Sequence, residues 1–223
     1  MAYLTFEVNR TCDMIDVHKD KCPIAHKDRY LYSDSDTAIT DTLVLNFYHW
    51  LHTVRKFDGV VGWTLYNEPT LVLNRIRYMM AHMKRMRPEQ RFRLTTNKPD
   101  VPGFDEYCFS NYGKGNGAQL DNRMFIDTGD GKPYGEVKPR GRCRRGMGWE
   151  VIIDYFGNWC LCCGDWRNEE SIGNIWGGVW DVLYEKWDAK RQTIRWSDQQ
   201  SYDALPRMCR SCIDKAPRMV LLR

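Results

Sequence analysis

The chain has 223 residues, of which 43% are hydrophobic and 28% charged, and it carries a net charge of +4. This is the make-up of an ordinary globular protein with room for one domain and a small appendage. No apolar run approaches the roughly 18 residues of a membrane span, and the first residues lack the shape of a secretion signal, so no membrane partner is expected and the expected compartment is the cytoplasm.

Residues 2 to 8 alternate, with Ala2, Leu4, Phe6 and Val8 on one face and Tyr3, Thr5 and Glu7 on the other. That period of two predicts a strand, which runs straight into Asn9-Arg10-Thr11-Cys12. Residues 13 to 36 are polar and irregular and read as a long loop holding Cys22-Pro23. Leu43, Phe47, Trp50, Leu51 and Val54 form one apolar stripe of a helix over 40–55, ended by Asp58-Gly59. Val60 to Leu65 reads as a buried strand, followed at once by Asn67-Glu68-Pro69. A second helix is expected over about 70–86, with Val72, Ile76, Met79, Met80 and Met83 on its core face and Pro88 closing it. Strands are expected at Arg91–Thr95, Glu106–Ser110 and Arg123–Asp127.

Strand–helix alternation implies parallel strands with right-handed crossovers. Cys12, Glu68, Asn97 and Ser110 all fall just after strand ends, where α/β barrels carry their chemistry. After Gly146 the pattern changes. Trp149–Tyr155 and Trp159–Cys163 read as a hairpin around Phe156-Gly157-Asn158, and Val179–Trp187 as a short helix.

Nine cysteines cannot all pair within one chain, and thiols clustered like Cys160, Cys162 and Cys163 suit metal ligation better than bridges. On a strand, Cys160 and Cys162 would share one face and Cys163 the other. Cys108, in an apolar strand, reads as a core thiol. Cys209-Arg-Ser-Cys212 is a ligand knuckle, while Cys143 and Cys162 are split by a strand and a turn. Four thiolates hold either zinc or an iron–sulfur cluster, and the wide spacing suits the larger cluster. Lys138, Arg140, Arg142, Arg144 and Arg145 crowd around Cys143. This basic segment, 138–145, reads in three ways: a solvated loop, compensation of an anionic cluster, or a phosphate or nucleic-acid contact. The tryptophans 149, 159, 166, 176, 180 and 187 are expected to build an aromatic core that keeps water from the cluster.

Three features belong together: Cys143, then Gly157 with four residues before Cys162; the run Cys162-Cys163-Gly164-Asp165-Trp166 with Ser171-Ile172-Gly173-Asn174-Ile175; and Cys209-x-x-Cys212. They resemble the SPASM/twitch extension of radical SAM enzymes, over about 70 residues. The further cysteines of the full SPASM form are absent, so the shorter twitch form with a single auxiliary 4Fe-4S cluster fits better. The resemblance implies Cys143, Cys162, Cys209 and Cys212 as its ligands.

The first part of the chain resembles a radical SAM core. Asn-Arg-Thr-Cys12 stands where the family has its cluster loop. Trp63 to Pro69 is similar to the family's GGEP segment, Thr95-Thr96-Asn97 to its TNG, and Ser110-Asn111-Tyr112-Gly113 to its fourth-strand segment. The resemblance implies that Glu68, Asn67, Asn97 and Ser110 bind S-adenosylmethionine. It also implies a second, N-terminal 4Fe-4S cluster on Cys12 and Cys22. The sequence departs from the family's Cx3Cx2C motif, because nine residues separate Cys12 from Cys22 and no middle cysteine stands between them. His18 or His26 could supply the third ligand.

The expected fold is α/β: a short, open partial (β/α) barrel over 1–137, then a small hairpin-plus-helix cluster domain over 138–223. The expected function is a radical S-adenosylmethionine enzyme that generates a 5′-deoxyadenosyl radical, uses an electron donor, and oxidises or modifies a peptide, nucleotide or small molecule. The alternative is a non-catalytic iron–sulfur or zinc module with a degenerate core.

Overall fold

The computed structural model describes residues 2–11, 37–63, 68–96, 101–109, 141–142, 150–162, 165, 168–196, 199–207 and 209–210. Its centre is a sheet whose first strands alternate with helices. Strand β1 (Tyr3–Phe6) leads, after a long connection, to helix α1 (Asp41–Val54). Thr40 caps α1: its Oγ1 accepts from the Leu43 N–H at 3.2 Å, which satisfies one of the orphan donors of the first turn. The apolar stripe expected for this helix is buried at Leu43, Phe47, Trp50 and Leu51.

Strand β2 (Val60–Trp63) is buried along its whole length, as a strand flanked on both sides must be. Helix α2 (Leu73–Met86) begins later than the expected position 70. Residues Pro69–Val72 form a tighter 3-10 turn instead, with Pro69 in its first turn and Glu68 as its cap. Ile76, Met79, Met80 and Met83 face the core, as the sequence pattern implied. Strands β3 (Arg91–Thr96) and β4 (Glu106–Phe109) follow. The strand expected at Arg123–Asp127 lies outside the described residues, as does the expected loop over 13–36.

A two-residue strand β5 (Gly141–Arg142) pairs antiparallel with β9 (Arg195–Trp196), a small ladder that the sequence pattern did not indicate. Strands β6 (Glu150–Ile153) and β7 (Asn158–Cys160) form the expected hairpin. Its turn is built on Asp154, whose carboxylate accepts from the N–H groups of Phe156 and Asn158 and from the Asn158 side-chain amide. Gly157 takes the left-handed conformation the turn requires (φ 84°). A short strand β8 (Gly173–Asn174) pairs back onto β7.

The strand order is β4-β3-β2-β1-β6-β7-β8, parallel from β4 through β6 and antiparallel beyond. This is an open mixed sheet. Pairing of β6 with β1, in register from Tyr3↔Glu150 to Phe6↔Ile153, carries the sheet across position 137/138.

Helix α3 (Trp180–Thr193) extends past the expected Trp187. Its last turns have lost the apolar stripe, yet Ala189, Lys190, Arg191 and Gln192 are good helix formers, and Asp188 accepts from Arg191 and Gln192. A further short helix, α4 (Gln199–Asp203), was not expected.

Alternate residues of the parallel strands, Leu4, Phe6, Val61, Trp63, Phe92, Leu94, Val151 and Ile153, are buried in the main core with the inner faces of α1 and α2. A second group joins α1, β7 and α3. Phe47 meets Trp159 and Trp180 edge-on at 5.3 and 5.5 Å, and Trp159 lies 5.9 Å from Trp187. Arg55 reinforces the junction by donating to Asp181 and Glu185 while stacking 4.2 Å from the Tyr184 ring. Trp159 and Trp187 are buried, as an aromatic core demands, whereas Trp176 is exposed.

Candidate functional site

Parallel strands converge their carboxyl ends at one edge of the sheet, and that edge carries a dense polar knot. Glu68 follows β2 and is only 1% exposed. A buried carboxylate is costly unless hydrogen bonds hold it. Its Oε1 accepts from the Thr70 N–H at 3.0 Å, from the Thr70 hydroxyl at 2.6 Å, and from the hydroxyl of Thr96 at the end of β3. The backbone ties in the third strand end: the Glu68 N–H donates to the Thr11 carbonyl at 3.1 Å. The Asn9 side chain donates both to that carbonyl and to the Glu68 carbonyl, each at 3.1 Å. The segments that follow β1 and β2 and the end of β3 are therefore tied together at Glu68, through its carboxylate and its backbone, with Thr11 directly preceding Cys12 in the chain.

Arg75 on α2 braces the knot from behind. Its Nη1 and Nη2 donate to the carbonyls of Val8 (2.6 Å) and Ile39 (2.7 Å), and its Nε to the Asp41 carboxylate. Beside it, the Arg10 guanidinium lies 5.1 Å from the Phe156 ring, so the segment after β1 also leans on the β6–β7 hairpin. Glu7, fully buried, accepts from the Tyr155 N–H at 3.3 Å across the β1–β6 junction. A sequestered carboxylate at the carboxyl edge of a parallel sheet is suited to hold a cation, and its fixed donors keep it ordered before the cation arrives.

At the opposite end of the sheet, β7 stops at Cys160. The expectation that Cys160 and Cys162 share a strand face is therefore corrected: Cys162 lies beyond the strand, and its carbonyl accepts from the Asp165 N–H at 3.0 Å in a turn. Cys160 is buried, with its thiol against the Asn158 carbonyl. Asp165 is buried as well. Its carboxylate accepts from the N–H groups of Glu169 (2.8 Å) and Glu170 (3.2 Å), yet burial outweighs those donors and pushes its pKa up to about 7. Cys209 belongs to the main core, Cys162 packs against that core, and neither is in a disulfide.

Of the residues expected to bind the cofactor or a cluster, the described set thus contains Glu68, Cys162 and Cys209. Asn67, Asn97, Ser110, Cys12, Cys22, Cys143 and Cys212 lie outside the described residues. Among the described residues no group of three or more histidine, cysteine, aspartate or glutamate side chains is arranged to hold a metal ion, and no helix is long and apolar enough to cross a membrane. Sequence reasoning missed Asn9, Thr70, Thr96 and Arg75. Thr96 sat inside the quoted Thr95-Thr96-Asn97 segment, and its hydroxyl next to a strand end was the available signal.

No family model matches the chain, and no curated protein does. Solved structures do match, and they share the fold of this chain. The chain is similar to BtrN in an open conformation, with a TM-score of 0.61, 15% identity, and coverage of 95% of this chain and 92% of that one. It is also similar to BtrN in complex with AdoMet and 2-DOIA, with a TM-score of 0.57, 15% identity, and coverage of 94% and 92%. At this identity the likeness is one of fold.

Proposed function

We propose that this chain is a radical SAM enzyme that binds S-adenosylmethionine at the carboxyl edge of its parallel sheet. The reading rests chiefly on the fold shared with BtrN, a protein crystallised with AdoMet, together with a buried Glu68 at the end of β2. When bound to a reduced 4Fe-4S cluster, the cofactor supplies a 5′-deoxyadenosyl radical that abstracts hydrogen from a substrate. Glu68 takes the ammonium of the cofactor. Thr70 and Thr96 hold its carboxylate in place, so no reorganisation is needed on binding. Asn9 fixes Thr11 against Glu68 and so sets where the segment beginning at Cys12 leaves the sheet. Asn67, Asn97 and Ser110 complete the cofactor contacts, and Cys12 and Cys22, with His18 or His26, hold the cluster.

Cys143, Cys162, Cys209 and Cys212 hold an auxiliary 4Fe-4S cluster. The aromatic group around Trp159 and Trp187 keeps water from that end of the molecule. The reaction class is oxidation or modification of a small molecule, peptide or nucleotide, with an external electron donor. The functional division is a core over 1–137 and a cluster segment over 138–223, which shares the core's sheet through β6.

The missing middle cysteine between Cys12 and Cys22 favours a second reading, in which only the C-terminal cluster forms and the chain serves a partner without catalysis. In that case the basic segment 138–145 contacts a phosphate-bearing partner. Anaerobic reconstitution followed by iron and sulfide analysis separates the two. The enzyme reading expects two cubes per chain, the second reading one, and a colourless protein with stoichiometric zinc contradicts both.

A further inference from the structure

The strands of a parallel sheet are usually covered on both faces. Here the two faces differ. One packs on the helices: Phe6 meets Phe47 of α1 edge-on at 6.3 Å, Lys84 of α2 lies 5.7 Å from the Phe92 ring, and Leu4, Phe6, Phe92 and Leu94 are buried. The other face carries Tyr3 and Thr5 of β1 with Arg93 and Thr95 of β3, and all four are partly exposed. Val60 and Ile152, which share that face by register, are buried. Solvent therefore reaches the middle of the sheet through a recess with apolar walls.

Thr5, Gly62 and Arg93 stand in one row across β1, β2 and β3. The Thr5 hydroxyl lies 2.9 Å from where a Gly62 Cβ would stand, so the glycine gives it room over β2. The charges beside this row are uneven. Arg91 pairs with Glu106 at 2.7 Å, and Tyr3 donates to the other oxygen of that carboxylate at 3.5 Å. Arg93 is the register partner of Glu106, yet among the described residues it has no ion pair and no side-chain hydrogen bond. Its guanidinium rests 5.5 Å from the Tyr3 ring, a contact that leaves its N–H donors uncommitted. A planar fork of donors held in a recess matches an oxyanion. Arg93 also lies three residues before Thr96, whose hydroxyl holds Glu68. At about 3.3 Å per residue that is roughly 10 Å, the span of a small molecule.

We infer that this recess is a substrate subsite in which Arg93 binds a carboxylate or phosphate group of a small molecule, with the Thr5 and Thr95 hydroxyls beside it. The inference rests on the proposed function and narrows its substrate. The molecule is anionic, is held by its charged end at Arg93, and reaches from there toward the cofactor at the carboxyl edge.

Arg93 itself reports the test, in the full reconstituted chain. Phenylglyoxal modifies guanidinium groups that are accessible and unpaired, and peptide mass spectrometry reads the rate at each arginine. Inorganic phosphate and malonate are the probes, against potassium chloride at matched ionic strength. Arg85, exposed on α2, is the internal reference. Arg93 is expected to react, and a probe to slow it saturably, by about tenfold at about ten times its Kd, while Arg85 keeps its rate. The probe that saturates at the lower concentration names the oxyanion. R93K keeps the charge and loses the fork, and equilibrium dialysis with the labelled probe should show about tenfold weaker binding. The inference is overturned by an Arg93 that does not react, by one slowed no more than Arg85, or by an R93K chain that binds the probe as tightly as the parent. S-adenosylmethionine titrated into the same sample reads the proposed function separately. A parent chain that takes up the cofactor while neither probe protects Arg93 overturns this inference alone. A parent chain in which a probe protects Arg93 but no cofactor binds overturns the proposed function, and the substrate role of Arg93 with it.

Discussion

Replacing Glu68 separates the structural work of its carboxylate from its charge. In E68A, three hydrogen bonds to Oε1 vanish together. The Thr96 hydroxyl, itself buried, is left without that acceptor, at a cost of about 1–3 kcal/mol. The Thr70 N–H at the start of the 3-10 turn loses its cap, at a cost of about 1 kcal/mol. E68A should therefore lose about 2–4 kcal/mol of stability, read as a lower denaturant midpoint. E68Q keeps an oxygen for the same donors and should lose less than about 1.5 kcal/mol. It removes the negative charge, however, and truncating one member of a buried charge pair costs about 2 kcal/mol or more. That corresponds to roughly thirtyfold weaker binding of S-adenosylmethionine, measured by equilibrium titration of the reconstituted protein. E68Q binding the cofactor as tightly as the parent chain would refute the assignment of Glu68. E68A as stable as the parent would refute the hydrogen-bond account.

Three further outcomes follow from the packing. R75M removes a guanidinium that joins α2 to Val8, Ile39 and Asp41, and should cost about 3 kcal/mol in chemical denaturation; a loss within 0.5 kcal/mol, the scale of ordinary surface substitutions, contradicts the bracing role. G59A places a methyl group 2.1 Å from the Ala2 carbonyl oxygen, which is backbone and cannot move aside; about 3 kcal/mol of destabilisation is expected, and a neutral effect contradicts the β1–β2 geometry. Tyr48 donates to Gln90 at 2.8 Å, and burial raises its pKa to about 12 from 10.0. The unfolded tyrosine ionises first, so stability is complete below pH 10 and declines as pH rises toward 12; Y48F should lack that decline in denaturation midpoints taken across this range.

Local patterns carried much of this architecture. The stripe from Leu43 to Leu51 and the methionines at 79, 80 and 83 state a helix and its buried face outright, although Val54, expected on the same stripe, is exposed, and Gly157 between Phe156 and Asn158 states the turn. What no local pattern states is the partner of a strand. The apolar run at 150–153 says that β6 is buried, but its parallel pairing with β1 joins residues almost 150 positions apart and leaves no mark in either segment. Two-residue strands such as β5 and β9 are too short for any periodicity. The parity argument for Cys160 and Cys162 failed because it assumed a strand running to Cys163, whereas the chain turns at Cys162 to bond Asp165.

The candidate site was legible in part. Glu68 stands out as an acid placed directly after a buried run. Arg75, in contrast, looks like one more exposed helix cation until its contacts with two carbonyls of distant segments are seen.

The most direct trial of the whole account is the yield of 5′-deoxyadenosine when the reconstituted chain is reduced in the presence of S-adenosylmethionine, with E68A run alongside. Formation of 5′-deoxyadenosine by the parent chain, sharply diminished in E68A at equal iron content, is the expected result. A parent chain carrying its full complement of iron that leaves the cofactor intact would contradict it.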